Sequence, residues 1–283
     1  MMIIKFKKVN NFILLMIVQI LIGFQFTNAQ DTTVQKARDK NIITSVWNDF
    51  KYVSVKTFSI REHQTWKVLT YAGITAALLY ANDDAMNQEL AREKESYAFG
   101  LTKYGRDIGN IYDKPGSAYF ISGLFGTLYG SGLIFKNDKL KQTTLLMAES
   151  LIFSGILNSS LKVIIGRERP YVNHDPFNFK PFSFDPDYMS MPSGHTSSIF
   201  AMMTVLAKQY DAWYVDIPAY TFSVCVAIQR INDDKHWSSD VFIGGTLGYL
   251  VGSYVVKRYR LKRGEISVQP ELGANGIGLN ILF

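Results

Sequence analysis

The sequence contains a single cysteine, Cys225. That excludes any disulfide within the chain. Cys225 lies in the apolar run Tyr220–Ile228 with no neighbour that would lower its pKa, so it reads as inert core. Excess positive charge is also scarce. The formal net charge is +6, and Lys5, Lys7 and Lys8 contribute to it from the N-terminal segment. Without them roughly +3 remains, too little for a nucleic-acid binder. No stripe of Arg and Lys with interleaved aromatics makes up the difference. The long apolar runs lack period-two alternation, and there is no internal repeat or low-complexity stretch. A metal-ligand set is missing too: no further His or carboxylate joins His195, His236 and Asp240 at suitable spacing. No metal and no cofactor is expected.

What is present is apolar mass. Hydrophobic residues make up 47% and aromatics 14% of the 283 residues, enough for one large domain plus tails. Five apolar units follow one another: Val68–Ala81, Ser117–Phe135, Thr143–Leu161, Ser197–Ala207 paired with Ile217–Ile228, and Val241–Val256. Their composition predicts helices. The charged segment Asp83–Gly116 predicts a surface helix around Asp84–Tyr97. Ile42, Ile43, Val46, Trp47, Phe50 and Val53 recur at helical spacing and predict an amphipathic helix. At the N-terminus, Lys5, Lys7 and Lys8, the apolar Phe12–Phe24 and the small-residue site Thr27-Asn28-Ala29 have the form of an export signal. At the other end, alternating apolar residues flank Gly273-Ala274-Asn275-Gly276 and predict a hairpin. The expected fold class is all-α: an antiparallel helical bundle with its active site at one end, plus a small C-terminal β-hairpin. The expected organisation is a signal peptide over 1–29, an amphipathic segment over 30–62, the helical domain over 63–260, and a basic linker with hairpin over 261–283.

Three polar breaks between helices gather chemistry-bearing residues: Lys162-Val-Ile-Ile-Gly-Arg-Glu-Arg169-Pro170, Pro192-Ser193-Gly194-His195, and Arg230-Ile-Asn-Asp-Asp-Lys-His236-Trp-Ser-Ser-Asp240. A phosphoryl group in transfer spreads negative charge over three oxygens, and stabilising it takes fixed cations and amide donors. Lys162, Arg169 and Arg230 supply cations, two of them with planar forked donors. Ser193 offers a hydroxyl, and the Gly194 amide sits at a helix start, where the dipole favours an anion. Two histidines remain for proton and phosphoryl transfer. His236 and Asp240 are four apart and share a helical face, so the carboxylate can hold one ring nitrogen protonated and free the other to attack. His195 has no partner nearby in sequence and suits the general acid. His63 and His174 read as non-catalytic. In an up-and-down bundle all three breaks fall at the same end.

Lys-x6-Arg-Pro, then Pro-Ser-Gly-His, then Arg-x5-His-x3-Asp resembles the three-part signature of the type 2 phosphatidic acid phosphatase and vanadium haloperoxidase superfamily. The resemblance covers about residues 110–257. It implies a metal-independent phosphatase. Lys162, Arg169, Ser193, Gly194 and Arg230 would bind phosphate. His236 would form phosphohistidine, His195 would protonate the leaving group, and Asp240 would support His236. The family usually has serine before the third-motif arginine, where this sequence has Gln229, so an altered contact is expected there.

The apolar runs and the aromatic-rich loop over 171–191 point to a phosphorylated lipid as substrate: a phosphatidate, a polyprenyl diphosphate or a lipid A phosphate. A soluble periplasmic acid phosphatase acting on small esters, or a vanadate-dependent haloperoxidase, are the alternatives. Only Ser117–Phe135 reads as long enough to span a membrane. Basic clusters at Lys136–Lys141 and Lys257–Arg263 fall at the bundle end opposite the three breaks, which sets the site on the export side of a bacterial envelope.

Overall fold

The structure is a computed structural model that describes residues 42–59, 61–93, 101–263, 267–273 and 276–282. The export-signal segment, the first part of the amphipathic segment and the end of the helix expected near Tyr97 lie outside the described residues. The body is all-helical. Its helices are α1 (Ile42–Phe58), α2 (His63–Tyr80), α3 (Asp83–Glu93), α4 (Leu101–Asp113), α5 (Ser117–Ile134), α6 (Asp138–Ile165), α7 (Gly194–Tyr210), α8 (Trp213–Asn232) and α9 (Ser238–Arg263). A short 3₁₀ turn, Pro186–Tyr188, interrupts the long loop between α6 and α7.

Local chemistry sets the ends of α6. The Asn137 side chain accepts from Leu140 N at its start, with Asp138 in the first turn where the dipole favours an acid. At its end Gly166 adopts the left-handed conformation, φ 61°, that turns the chain into the loop. A β-carbon there would lie 1.8 Å from the Lys180 carbonyl oxygen, so the position also demands glycine for space.

Helix α9 is the axis of the molecule. It packs against α7 most extensively, and against α1, α2 and α6. Gly244, Gly248 and Gly252 recur every four residues along it. β-carbons there would come 2.6, 2.2 and 2.6 Å from the carbonyl oxygens of Ser193, Ser197 and Ala201 on the α7 side. The two helices therefore meet backbone to backbone. Gly109 does the same for α4, where a β-carbon would lie 2.4 Å from the Cys225 carbonyl oxygen of α8. The main core is built from Met147, Phe153, Phe200, Val205, Tyr220, Val251 and Tyr254, among others. Cys225 is a buried free thiol within α8.

Three expectations need correction. Helix α4 was not foreseen: it buries Gly105 and Gly109 against α8 and Tyr112 in the core, while Tyr104, Ile108 and Ile111 stay exposed, so its buried face carries little apolar signal. The C-terminal hairpin is not supported as part of the fold. Ser267–Gly273 and Gly276–Leu282 run antiparallel beside each other after α9, but a lone two-stranded ribbon is marginal in water, and it adds no layer to the helical architecture. Among the described residues, the helices long and apolar enough to cross a membrane are α6 and α9, not Ser117–Phe135. The α9 stretch is 94% buried inside the protein, as a core helix would be, whereas that of α6 is 22% buried.

Candidate active site

The C-terminal ends of α4, α6 and α8 meet the N-terminal ends of α7 and α9 at one end of the bundle. Ser193 caps α7 and is fully buried; its amide donates to the Asp240 carbonyl at 2.9 Å, which fastens α7 to α9. Its hydroxyl accepts from Thr196 Oγ1 at 3.0 Å. Gly194 begins α7, and a β-carbon there would lie 3.4 Å from Asn158 Oδ1 and 3.7 Å from Lys162 Cε, so its amide sits beside α6.

Lys162 and Arg169 are held by backbone carbonyls, most of them in the 171–191 loop. Lys162 Nζ donates to Met189 O at 2.5 Å and Ser190 O at 3.1 Å. Arg169 donates to Pro186 O (3.0 Å), Met189 O (3.2 Å) and Lys235 O (3.1 Å). These neutral acceptors position Lys162 and Arg169. Arg230 Nη1 donates to Asp113 Oδ2 at 2.8 Å, while its Nε is buried and makes no hydrogen bond. Lys162, Arg169 and Arg230 all act on His236 electrostatically.

His236 is 2% exposed. Burial is the largest cause holding its pKa well below the usual histidine value; the three cations act in the same direction, and Asp240 opposes them. The Nδ1 to Asp240 Oδ2 separation is 3.7 Å, too long for a hydrogen bond. Ser190 Oγ lies between, 3.5 Å from Nδ1 and donating to Asp240 Oδ2 at 2.5 Å. Catalytic hydrogen bonds commonly tighten only once substrate is bound.

Sequence reasoning missed four residues. Asp113 is the partner that His195 lacked in local sequence: His195 Nε2 and Asp113 Oδ1 are 3.0 Å apart. The His195 hydrogen bond, and after it the Arg230 charge, hold the Asp113 carboxyl well below the usual range. Burial pushes the His195 pKa down, while Asp113 pushes it back up. Gln229 Nε2 donates to Asp113 Oδ2 at 3.1 Å and to Asp233 Oδ2 at 2.7 Å. Ser190, Arg167 and Asp83 are the others, and all three stand behind Asp240. Arg167 had a signal, being one residue beyond the turn glycine in the first motif. Asp83 and Asp113 had none, because only the fold brings them near. His174 is exposed on the loop surface.

Residues 143–263 match the family model described as the PAP2 superfamily. This segment is therefore similar to PAP2 superfamily domains. It holds every residue of the three motifs, whereas Asp83 and Asp113 precede it. The chain is 34% identical over 101 residues to a lipid A 1-phosphatase of Rhizobium etli, covering 35% of this chain and 43% of that protein. It is 41% identical over 66 residues to a lipid A 1-phosphatase of Porphyromonas gingivalis, covering 22% of this chain and 15% of that protein. The chain thus spans less than half the length of these curated relatives. Among solved structures, it is similar to a transmembrane PAP2 type phosphatidylglycerolphosphate phosphatase from Bacillus subtilis. That match has 21% identity and a TM-score of 0.47, covering 77% of this chain and 96% of that one.

Proposed function

We propose that this chain is a phosphatase that hydrolyses a phosphate monoester or diphosphate of a lipid through a phosphohistidine intermediate. The observation that carries the reading is the cation arrangement. Three cations act on one buried imidazole, and the Arg230 Nε beside them is buried without a protein partner. A bound phosphoryl group would supply the missing acceptor. Lys162, Arg169, Ser193, Gly194 and Arg230 hold the phosphate. His236 Nε2 attacks phosphorus while Asp240, directly or through Ser190, holds the Nδ1 proton. The phosphorus–oxygen ester bond breaks, and His195 gives its proton to the departing oxygen. Water then attacks the phosphohistidine, His195 takes up the proton released, the phosphorus–nitrogen bond breaks, and phosphate leaves. No step calls on a metal.

The lipid preference rests on apolar surface that runs from mid-bundle toward the site. An apolar groove of about 570 Å³ lies between α5, α6, α7 and α8, lined by Phe120, Leu124, Leu128, Met203, Leu206 and Phe222. The Tyr112 ring packs on both Phe120 and His195, with centroids 5.3 and 5.6 Å away, and so links groove to site. On the loop beside the site, Phe182 and Phe184 are 72% and 79% exposed. These features favour association with a membrane. We place the site on the export side of a bacterial envelope, because the basic clusters at 136–141 and 257–263 lie at the opposite end of the bundle.

The test uses purified full chain on a lipid phosphate and on a small soluble phosphate ester, with and without detergent. The expected result is hydrolysis of both, unaffected by chelator, with the lipid preferred and His236→Ala inactive on either. Equal turnover of the two esters removes the lipid preference. Full activity of His236→Ala removes the mechanism.

A further inference from the structure

The groups behind Asp240 form a continuous buried array. Arg167 is fully buried between two fully buried carboxylates: Nη1 donates to Asp240 Oδ1 at 2.8 Å and Nη2 to Asp83 Oδ2 at 2.8 Å. Its Nε and Nη2 also donate to the Pro176 carbonyl, at 3.0 and 2.8 Å. The rings of Tyr80, Phe179 and Trp237 pack on the guanidinium, with centroids 5.0, 5.7 and 5.3 Å from its carbon. Asp83 in turn grips the start of α9. Its Oδ1 accepts from Ser238 Oγ at 2.6 Å and Ser239 N at 2.9 Å. Its Oδ2 accepts from Ser239 Oγ as well as from Arg167. Ser239 Oγ itself accepts from Arg167 Nη1 at 2.7 Å. Burial, and after it the Asp240 charge, push the Asp83 pKa up, while the Arg167 charge and the Ser238 and Ser239 donors oppose them; four donors around Asp83 fit an ionised carboxylate, an acceptor-only group.

Asp83 lies outside the PAP2 segment, in a helix that carries none of the three motifs. We infer that Asp83 is a positioning residue for the nucleophile: with Arg167 and the α9 N-terminus, it fixes both the place and the charge of Asp240 behind His236. The inference rests on the proposed role of His236. The physical case is a charge count. Arg167 paired with Asp240 alone would neutralise the carboxylate that must favour a positive imidazole. Asp83 shares the same guanidinium, so the buried set Asp83, Arg167 and Asp240 keeps one net negative charge. As His236 forms its bond to phosphorus, its ring gains positive charge that this excess stabilises. The geometric case is rigidity. Asp240 is held by Arg167 on one oxygen, and by Ser190 and the Trp237 amide (3.0 Å) on the other, so it cannot rotate away from the imidazole.

The experiment compares wild type with Asp83→Asn, which keeps shape and removes charge. Hydrolysis of a soluble phosphate ester is followed across pH. Competitive inhibition by inorganic phosphate and the thermal melting profile are measured in parallel. Asp240, Lys162, Arg169 and Arg230 are the charged groups that act most strongly on His236, and Ser190 Oγ lies 3.5 Å from its Nδ1; Asp83→Asn leaves all five in place. With one negative charge removed behind the ring, protonated His236 is less favoured. The acid limb of kcat/KM, which reports that proton, therefore moves to lower pH. The expected result is a kcat lower by roughly 10- to 100-fold, with KM and phosphate inhibition nearly unchanged and the acid limb shifted down. Wild-type kcat in Asp83→Asn, or a loss that tracks the folded fraction with the acid limb unmoved, overturns the inference. Should Asp83→Asn fail to fold, Ser238→Ala removes a single Asp83 contact. It leaves the Asp83 charge in place and loosens its grip on the α9 start, so it is expected to lower kcat several-fold at an unchanged folded fraction, and wild-type behaviour of that variant counts against the inference. A wild-type protein that hydrolyses no phosphate ester overturns the proposed function itself, an outcome distinct from active wild type with unaffected Asp83→Asn.

Discussion

At the scale of single residues, the two imidazoles differ in what stands behind them. His236 is fully enclosed and backed by Asp240 and Ser190; His195 is partly open, with a 31% exposed side chain, and pairs with Asp113. Burial lowers the pKa of both, and that of His236 lies well below the ordinary value. For the proposed chemistry His236 must be neutral and His195 protonated. The acid limb of kcat/KM then reports His236 and the base limb His195, giving an optimum on the acid side of pH 6.5. Asp113 raises the His195 pKa, so Asp113→Asn is expected to move the base limb to lower pH and leave the acid limb nearly in place. A pH profile on a soluble ester checks this; an unchanged base limb denies Asp113 that role. Much of this cluster was legible beforehand, because its motifs carry Lys162, Arg169, Ser193, His195, Arg230, His236 and Asp240 in local sequence. Asp113 and Asp83 were not legible, since a lone acid in a charged stretch looks like a solvated surface until folding encloses it.

At the scale of elements, the site depends on how closely α7 and α9 approach. The glycines of α9 at 244, 248 and 252 let its backbone lie against the carbonyl oxygens of α7, and that contact fixes Ser193 and His195 relative to Asp240. Gly248→Ala sets a β-carbon 2.2 Å from the Ser197 oxygen, which forces the helices apart. The expected cost is about 1–3 kcal/mol of stability, together with lower kcat, as thermal or denaturant unfolding beside kinetics would show. Gly123→Ala is the control, since a β-carbon there meets nothing within 4 Å. Unchanged stability of Gly248→Ala contradicts this packing. Hydrophobic content announced α5 to α9 from sequence, but it could not announce α4, whose buried face is made of Gly105, Gly109 and Tyr112. Nor could it rank spanning helices. Composition favoured Ser117–Phe135, whereas length and hydropathy together favour α6 and α9.

At the scale of the whole molecule, the bundle separates its functions by end. One end gathers cations, imidazoles and the buried Asp83–Arg167–Asp240 array. The other carries basic clusters, where Arg258 and Lys262 pair with Asp49 at 2.9 and 2.5 Å. Between them the apolar groove opens along α5 and α8. An antiparallel order of helices is enough to produce this separation, because every second connection falls at the same end. The central claim is that phosphate passes through His236. The most direct measurement is rapid quenching of wild type with a ³²P-labelled ester, followed by peptide mapping of the base-stable, acid-labile label. The account predicts label on the peptide containing His236, none in His236→Ala, and slower discharge in His195→Ala. Hydrolysis with no labelled enzyme, or label carried by another residue, would contradict it.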